Sequence, residues 1–266
     1  MRVKALFLLL FFSLLYPVIS RGNEADSLKK AGNGPDRKGF HMKFELKREA
    51  TDHGVPGETT KSSVKIDALL PGVVSLVRVE VFFPDEDTDF DGNLFNPRLG
   101  DINTRIGFHS IPLIGLRISS FIELTWPTAD PSNLGMGKYQ GSIGIKTSVR
   151  LSKPDSIVQA HKFLFDGQVQ QVVSYAGDES SKDINYTKFE FYLKDVWRKL
   201  IWMKLTAKPV INWESKANTG SVAELELGWI ISHNFSVWVM GGRKLWGNGI
   251  PGTYENRLSF SAEFQF

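Results

Sequence analysis

Three observations predict an all-β fold, a transmembrane antiparallel up-and-down β-barrel of about twelve strands, with ten as the alternative count. From about residue 40 to Phe266, apolar and polar residues alternate with a period of two. Beyond the first twenty residues no stretch approaches the ~18 consecutive apolar residues of a membrane-crossing helix. Counted back from the C-terminus, the connections alternate between short and long, as the two ends of a membrane barrel require.

The chain opens on a segment that reads as an export signal. Arg2 and Lys4 form a basic start, residues 5–16 are apolar apart from Ser13, Pro17 breaks the run, and Val18-Ile19-Ser20 supplies tolerated cleavage residues. The run is short for an anchor that spans a bilayer. Without a cysteine to carry lipid, a lipoprotein is excluded. Residues 21–37 are polar and Gly-rich with no periodicity, so 21–39 reads as a flexible lead-in to a barrel over 40–266.

Strands are expected near 40–48, 62–70, 73–83, 101–109, 115–126, 140–151, 158–175, 186–194, 200–213, 221–232, 235–243 and 254–266. The last shows the alternation best: Tyr254, Asn256, Leu258, Phe260, Ala262, Phe264 and Phe266 oppose Glu255, Arg257, Ser259, Ser261, Glu263 and Gln265. Successive side chains of a strand point to opposite faces, so one face is apolar and the other polar. A strand of this kind that stops on a terminal Phe resembles the C-terminal signature by which outer-membrane barrels engage their assembly machinery. Phe266 is therefore the expected assembly signal, and the placement is the outer membrane of a Gram-negative-type bacterium, with its lipid and lipopolysaccharide as surroundings.

The links confirm the two-sided rhythm. Residues 71–72, 110–114, 152–156, 195–198 and 232–234 are short, whereas 84–100, 127–139, 176–185, 214–220 and 244–253 are long. A closed barrel also removes the unpaired sheet edges that lipid cannot tolerate. Trp126, Tyr139, Tyr175, Trp213, Trp246 and Tyr254 fall by the long links, and Trp197 and Phe266 at the opposite, inner ends of their strands, which suits two interfacial girdles.

The polar faces then define a lumen. Its expected lining is Arg78, Glu80, Asp101, Arg105, Arg117, Glu123, Lys146, Arg150, Lys188, Glu190, Lys204, Lys208, Glu224, Glu226, Glu255, Arg257 and Glu263. Both signs are present, so these groups either pair and fill the lumen or line a narrow passage. Twelve strands lie between the filled eight-stranded case and the open sixteen-stranded one.

Composition excludes other classes. Without the first twenty residues the balance is 30 basic against 29 acidic, which gives no electrostatic case for nucleic acid. None of His41, His53, His109, His161 and His233 has a Ser two positions on. His109 and Ser110 are adjacent, on opposite faces of a regular strand, so a barrel-wall lipid hydrolase has little support. No phosphate loop, nucleotide fingerprint or metal cluster is found, and no cofactor or catalytic residue is expected. Residues 85–91 are acidic, and Asp87-x-Asp89-x-Asp91-Gly92 matches the start of a calcium loop. Its twelfth position is Arg98, however, so a merely solvated loop is the better reading, with bridging of divalent cations to lipopolysaccharide left open.

Two stretches carry a family resemblance. Arg98-Leu99-Gly100-Asp101-Ile102 precedes a strand, and Pro127-Thr128-Ala129-Asp130 is followed by Leu134-Gly135-Met136-Gly137-Lys138. In this order they resemble the transporter-like outer-membrane family named for the meta-pathway of phenol degradation, over roughly 60–266; Ala129 stands where that family has Gly. The resemblance implies a channel for hydrophobic or aromatic compounds and carries no binding residues across. Taken locally, Gly135 and Gly137 permit positive φ and Pro127 ends a strand. The leading expectation is passage of small solutes, and the alternative is a structural or surface-interaction barrel with a charge-filled, closed lumen. The oligomeric state is left open.

Overall fold

The computed structural model describes residues 40–54, 58–85, 97–113, 116–130, 134–151, 161–197 and 200–266. The expected export signal and lead-in, most of the acidic stretch 85–91, the link 152–156 and the side chain of Arg150 lie outside the described residues. Among the described residues there is no α-helix.

The strands are β1 (His41–Asp52), β2 (Glu58–Leu69), β3 (Val74–Pro84), β4 (Ile102–Phe108), β5 (Ile111–Leu113), β6 (Leu116–Trp126) and β7 (Lys138–Arg150). They continue with β8 (His161–Gly177), β9 (Asn185–Trp197), β10 (Ile201–Asn212), β11 (Asn218–Ser232), β12 (Phe235–Trp246) and β13 (Asn256–Gln265). Each pairs antiparallel with its neighbours in one sheet. The ring closes because β1 pairs with β13 from Lys43↔Gln265 to Asp52↔Asn256. At its end, Phe266 and Met42 exchange both backbone hydrogen bonds, at 2.9 and 3.2 Å.

β4 and β5 are one barrel strand interrupted by a bulge. β4 meets β6 as far as Gly107↔Phe121, and β5 resumes at Ile111↔Ile118, one residue out of step. The circuit thus has twelve strands, as expected, with β5 as the short extra piece. The expected link 110–114 is corrected by this: strand pairing runs on to Leu113. The bulge also lets His109 and Ser110 both line the lumen cavity, where regular alternation would put them on opposite faces.

We call the end that carries the C-terminus the near rim and the other the far rim. Most links keep the expected rhythm. One link, between Arg150 at the end of β7 and His161 at the start of β8, falls largely outside the described residues.

The barrel is inside out relative to a water-soluble protein. Eighteen polar or charged side chains among the described residues are buried, against nine apolar ones. Meanwhile Leu205, Leu225, Leu258, Phe260 and many like them stand exposed on the outer wall. A belt of that extent is poorly tolerated in water and well solvated by hydrocarbon. Trp126, Tyr139, Tyr175, Trp213 and Trp246 lie outward near the far rim, and Trp197 and Phe266 near the other. Trp126 and Trp213 donate their indole N–H groups to Thr104 and Thr187, at 3.0 and 2.8 Å. Tyr254 departs from the expected girdle. It precedes β13, turns inward, and is 2% exposed.

Three inward glycines are placed for space. A Cβ on Gly144 would lie 2.1 Å from the ring of its cross-strand partner Phe121, and one on Gly228 would lie 2.1 Å from that of Trp202. Gly242 is covered in the same way by Tyr254. Each ring lies over a neighbour that has no side chain, which lets a large aromatic fit inside a narrow barrel.

Candidate functional site

The lumen holds a cavity of about 830 Å³. Alternation points one side chain in two inward on every strand, and the inward set is polar. Most of the expected lining residues meet there. Arg78 forms a two-pronged pair with Asp67 at 2.6 and 2.7 Å. Arg105 bonds Glu123 at 2.7 Å and lies over the Phe121 ring, and the second Glu123 oxygen accepts from Gln170 at 3.1 Å. Lys146 reaches Asp166 at 2.8 Å and the Tyr192 hydroxyl at 2.9 Å. Lys204 pairs with Glu226 at 2.6 Å, and Glu226 also accepts from the Trp202 indole at 2.8 Å. Lys208 pairs with Glu224 at 2.6 Å, and Glu224 accepts the Tyr254 hydroxyl at 2.6 Å. Arg257 lies over the Tyr254 ring between Glu49 and Glu224, at 3.4 and 3.8 Å.

The remaining expected residues are placed in several ways. Glu80, Lys188 and Glu190 line the cavity. Glu263 is inward and held by Lys43 at 3.0 Å. Arg117 is on the inward face of β6, exposed at the near rim and away from the cavity. Asp101 is buried at the far rim, and Glu255 pairs with Lys244 just before β13. Sequence reading missed Glu45, Lys47, Glu49, Lys61, Lys65, Asp67, Asp166 and Lys194. Their signal was present in the run Lys61-x-Ser63-x-Lys65-x-Asp67, which alternates with Ser62, Val64 and Ile66.

Charge is sorted by depth. Eleven basic side chains border the cavity, against three acidic ones, Glu49, Glu80 and Glu190. The carboxylates of Glu45, Asp67, Asp166, Glu224 and Glu226 lie behind their cations, with each residue no more than 9% exposed. Side-chain length accounts for this. Asp and Glu stay close to the wall, whereas the stems of Lys and Arg carry their heads towards the axis.

The far mouth is narrowed by three segments folded inward. Ile250 and Thr253 pack over Gly220, where a Cβ would lie 3.1 and 2.9 Å from them. Gly137, with φ of 65°, packs against Ser181, and Lys138 reaches Asp183 at 3.3 Å. The third segment brings together the two stretches that carry the family resemblance. Thr128 donates its hydroxyl to the Gly100 carbonyl at 3.0 Å, and Asp130 N–H donates to the Leu99 carbonyl at 2.9 Å. The Met136 N–H donates to the Asp101 carboxylate at 2.8 Å, and a Cβ on Gly135 would strike that carboxylate at 2.3 Å. The paired stretches form a clamp that fastens the β6–β7 loop across the start of β4.

No protein-family model and no curated protein matches the sequence. Among solved structures, the chain is similar to the crystal structure of an outer membrane channel from Pseudomonas putida F1. The TM-score is 0.55 at 11% identity, over 85% of this chain and 95% of that one. It is also similar to the NanC porin, at TM-score 0.54 and 9% identity over 84% and 98% of the two chains. The KdgM porin matches at TM-score 0.53 and 7% identity, over 84% and 99%. At these identities the likeness is one of architecture, and what it shows is the closed antiparallel β-barrel that those chains share.

Proposed function

We propose that this barrel sits in a bacterial outer membrane and passes small solutes passively through its lumen. The observation that carries the reading is the polar, water-accessible cavity enclosed by a wall whose outer face is apolar. Such a wall needs lipid, and such a cavity has a purpose only if something enters it. The solved barrels of similar fold are an outer membrane channel and two porins, which supports the same reading. Lipid and lipopolysaccharide are its surroundings, and the assembly machinery meets it through β13 and Phe266.

The two clamp stretches and their family resemblance support hydrophobic or aromatic solutes as the more specific cargo. Phe82, Phe121 and Tyr192 offer aromatic faces to the cavity. The refolded protein in planar bilayers should give discrete conductance steps, and vesicles carrying it should take up a small phenol faster than a sugar of equal size. A folded barrel without any conductance would overturn the channel reading. It would favour the second one, a surface-interaction barrel with a closed lumen, for which the three inward-folded far-rim segments speak.

A further inference from the structure

We infer that among charged solutes the lumen selects anions, inorganic ions and small carboxylates, aromatic carboxylates included. The inference rests on the channel reading and adds a substrate class to it.

The argument starts from what a solute meets. Basic groups border the cavity eleven to three. Six further carboxylates pair with them from the wall: Glu45, Asp67, Glu123, Asp166, Glu224 and Glu226. Counting those as well, basic groups still lead by eleven to nine. The small net charge understates the effect, because five of the six pairs are dipoles with the positive end towards the axis. A ring of such dipoles in a low-dielectric wall focuses a positive potential on the lumen.

Two lysines sharpen the case. Among the described residues, Lys188 and Lys194 border the cavity without forming an ion pair. Lys194 instead lies over the Trp202 ring, at 4.8 Å. Their charge is thus available to a passing anion. A lumen whose cations are each tied up by an equally exposed acid would give no preference; here the acid is the more recessed partner in every one of these pairs but Arg105–Glu123, whose side chains are equally exposed. Rings of Lys and Arg favour anions in pores for this reason.

The test is the reversal potential of the refolded full-length protein in a planar bilayer under a tenfold KCl gradient. The expected result is a chloride-to-potassium permeability ratio of about 3 to 10 at low salt. The ratio should fall as ionic strength approaches ~1 M, where the screening length shrinks to about 3 Å. Replacing KCl with potassium acetate should preserve the sign of the potential. The double variant Lys188→Glu/Lys194→Glu should lower the ratio at least about threefold, and Lys188→Gln/Lys194→Gln should lower it by less. Conductance with a ratio at or below one in the unmodified protein overturns the anion inference and leaves the channel reading standing. Absence of any conductance overturns both. The unmodified protein decides the matter even where the variants fail to fold.

Discussion

Gly228→Ala is the sharpest test of how the lumen is packed. A methyl group at that position would lie 2.1 Å from Cε2 and Cζ2 of Trp202. Ordinary carbon contacts are about 3.5–4.0 Å, so the indole must move well over 1 Å. Overpacking of this kind costs about 1–3 kcal/mol. The displaced ring also gives up its hydrogen bond to Glu226, 2.8 Å long, and a bond to a charged acceptor is worth about 1.5–3 kcal/mol. Ala is favoured over Gly in a strand by roughly 0.5–1 kcal/mol, which offsets part of the loss. The net expectation is a destabilisation of about 2–4 kcal/mol, or a urea midpoint lower by about 1–2 M for a slope near the middle of the usual 1–3 kcal/mol/M. The control is Gly241→Ala one strand away. A Cβ there meets nothing within 4 Å, and that variant should be neutral or slightly stabilised. Urea titration of both proteins refolded into lipid vesicles, followed by heat-modifiable gel mobility, gives the comparison. Equal midpoints would refute the view that Gly228 is present to make room for Trp202.

Three further outcomes are expected. Gly135→Ala drives a methyl into the Asp101 carboxylate and should release the β6–β7 loop, seen as faster proteolytic cleavage within 127–137 with the rest of the barrel intact. Deleting Phe266 removes the two backbone hydrogen bonds to Met42 and should lower in-vitro stability by only about 1–2 kcal/mol, while sharply reducing the heat-modifiable form in cells; unchanged folding in cells would count against an assembly role. Burial, with Arg257 and Lys61 nearby, holds the His53 imidazole below its ordinary 6.5, so the folded state takes up that proton less readily than the unfolded chain. Stability should be full above pH 6.5 and decline as pH falls below it, because the unfolded chain takes up the proton first. His53→Gln should lessen that decline in urea midpoints taken at pH 7.5 and 5.5.

The transmembrane part of the barrel was legible because lipid imposes a strict alternation. Strands β6 and β10 to β13 lie within a few residues of their expected bounds. The errors concentrate at the far rim. β1 runs to Asp52 against an expected 48, β2 begins at Glu58 against 62, and β12 runs to Trp246 against 243. Beyond the lipid both faces of a strand are wet, so pairing continues after the apolar signal stops. The β4–β5 bulge was hidden for a different reason: a one-residue slip leaves no mark on composition. Tyr254 fits the apolar alternation of the last strand, but the pairing of β13 begins only at Asn256. Inward residues could be read strand by strand, but their partners could not. Arg78 with Asp67 and Arg105 with Glu123 depend on register between strands. The depth sorting of charge depends on side-chain length within a closed circle, which no linear pattern displays.

The alternation that builds the wall also governs how the chain could travel. In a polypeptide that crosses one membrane before settling in another, a long greasy segment risks being held in the first as a helix. β11 carries Leu225, Leu227 and Trp229 for the wall, but Glu224 and Glu226 are threaded between them. Coiled into a helix, the two acids would oppose insertion by about 5–7 kcal/mol. β10 is protected in the same way by Lys204 and Lys208. The hydrophobic surface therefore comes into being only on closure, when the strands turn their polar residues inward together.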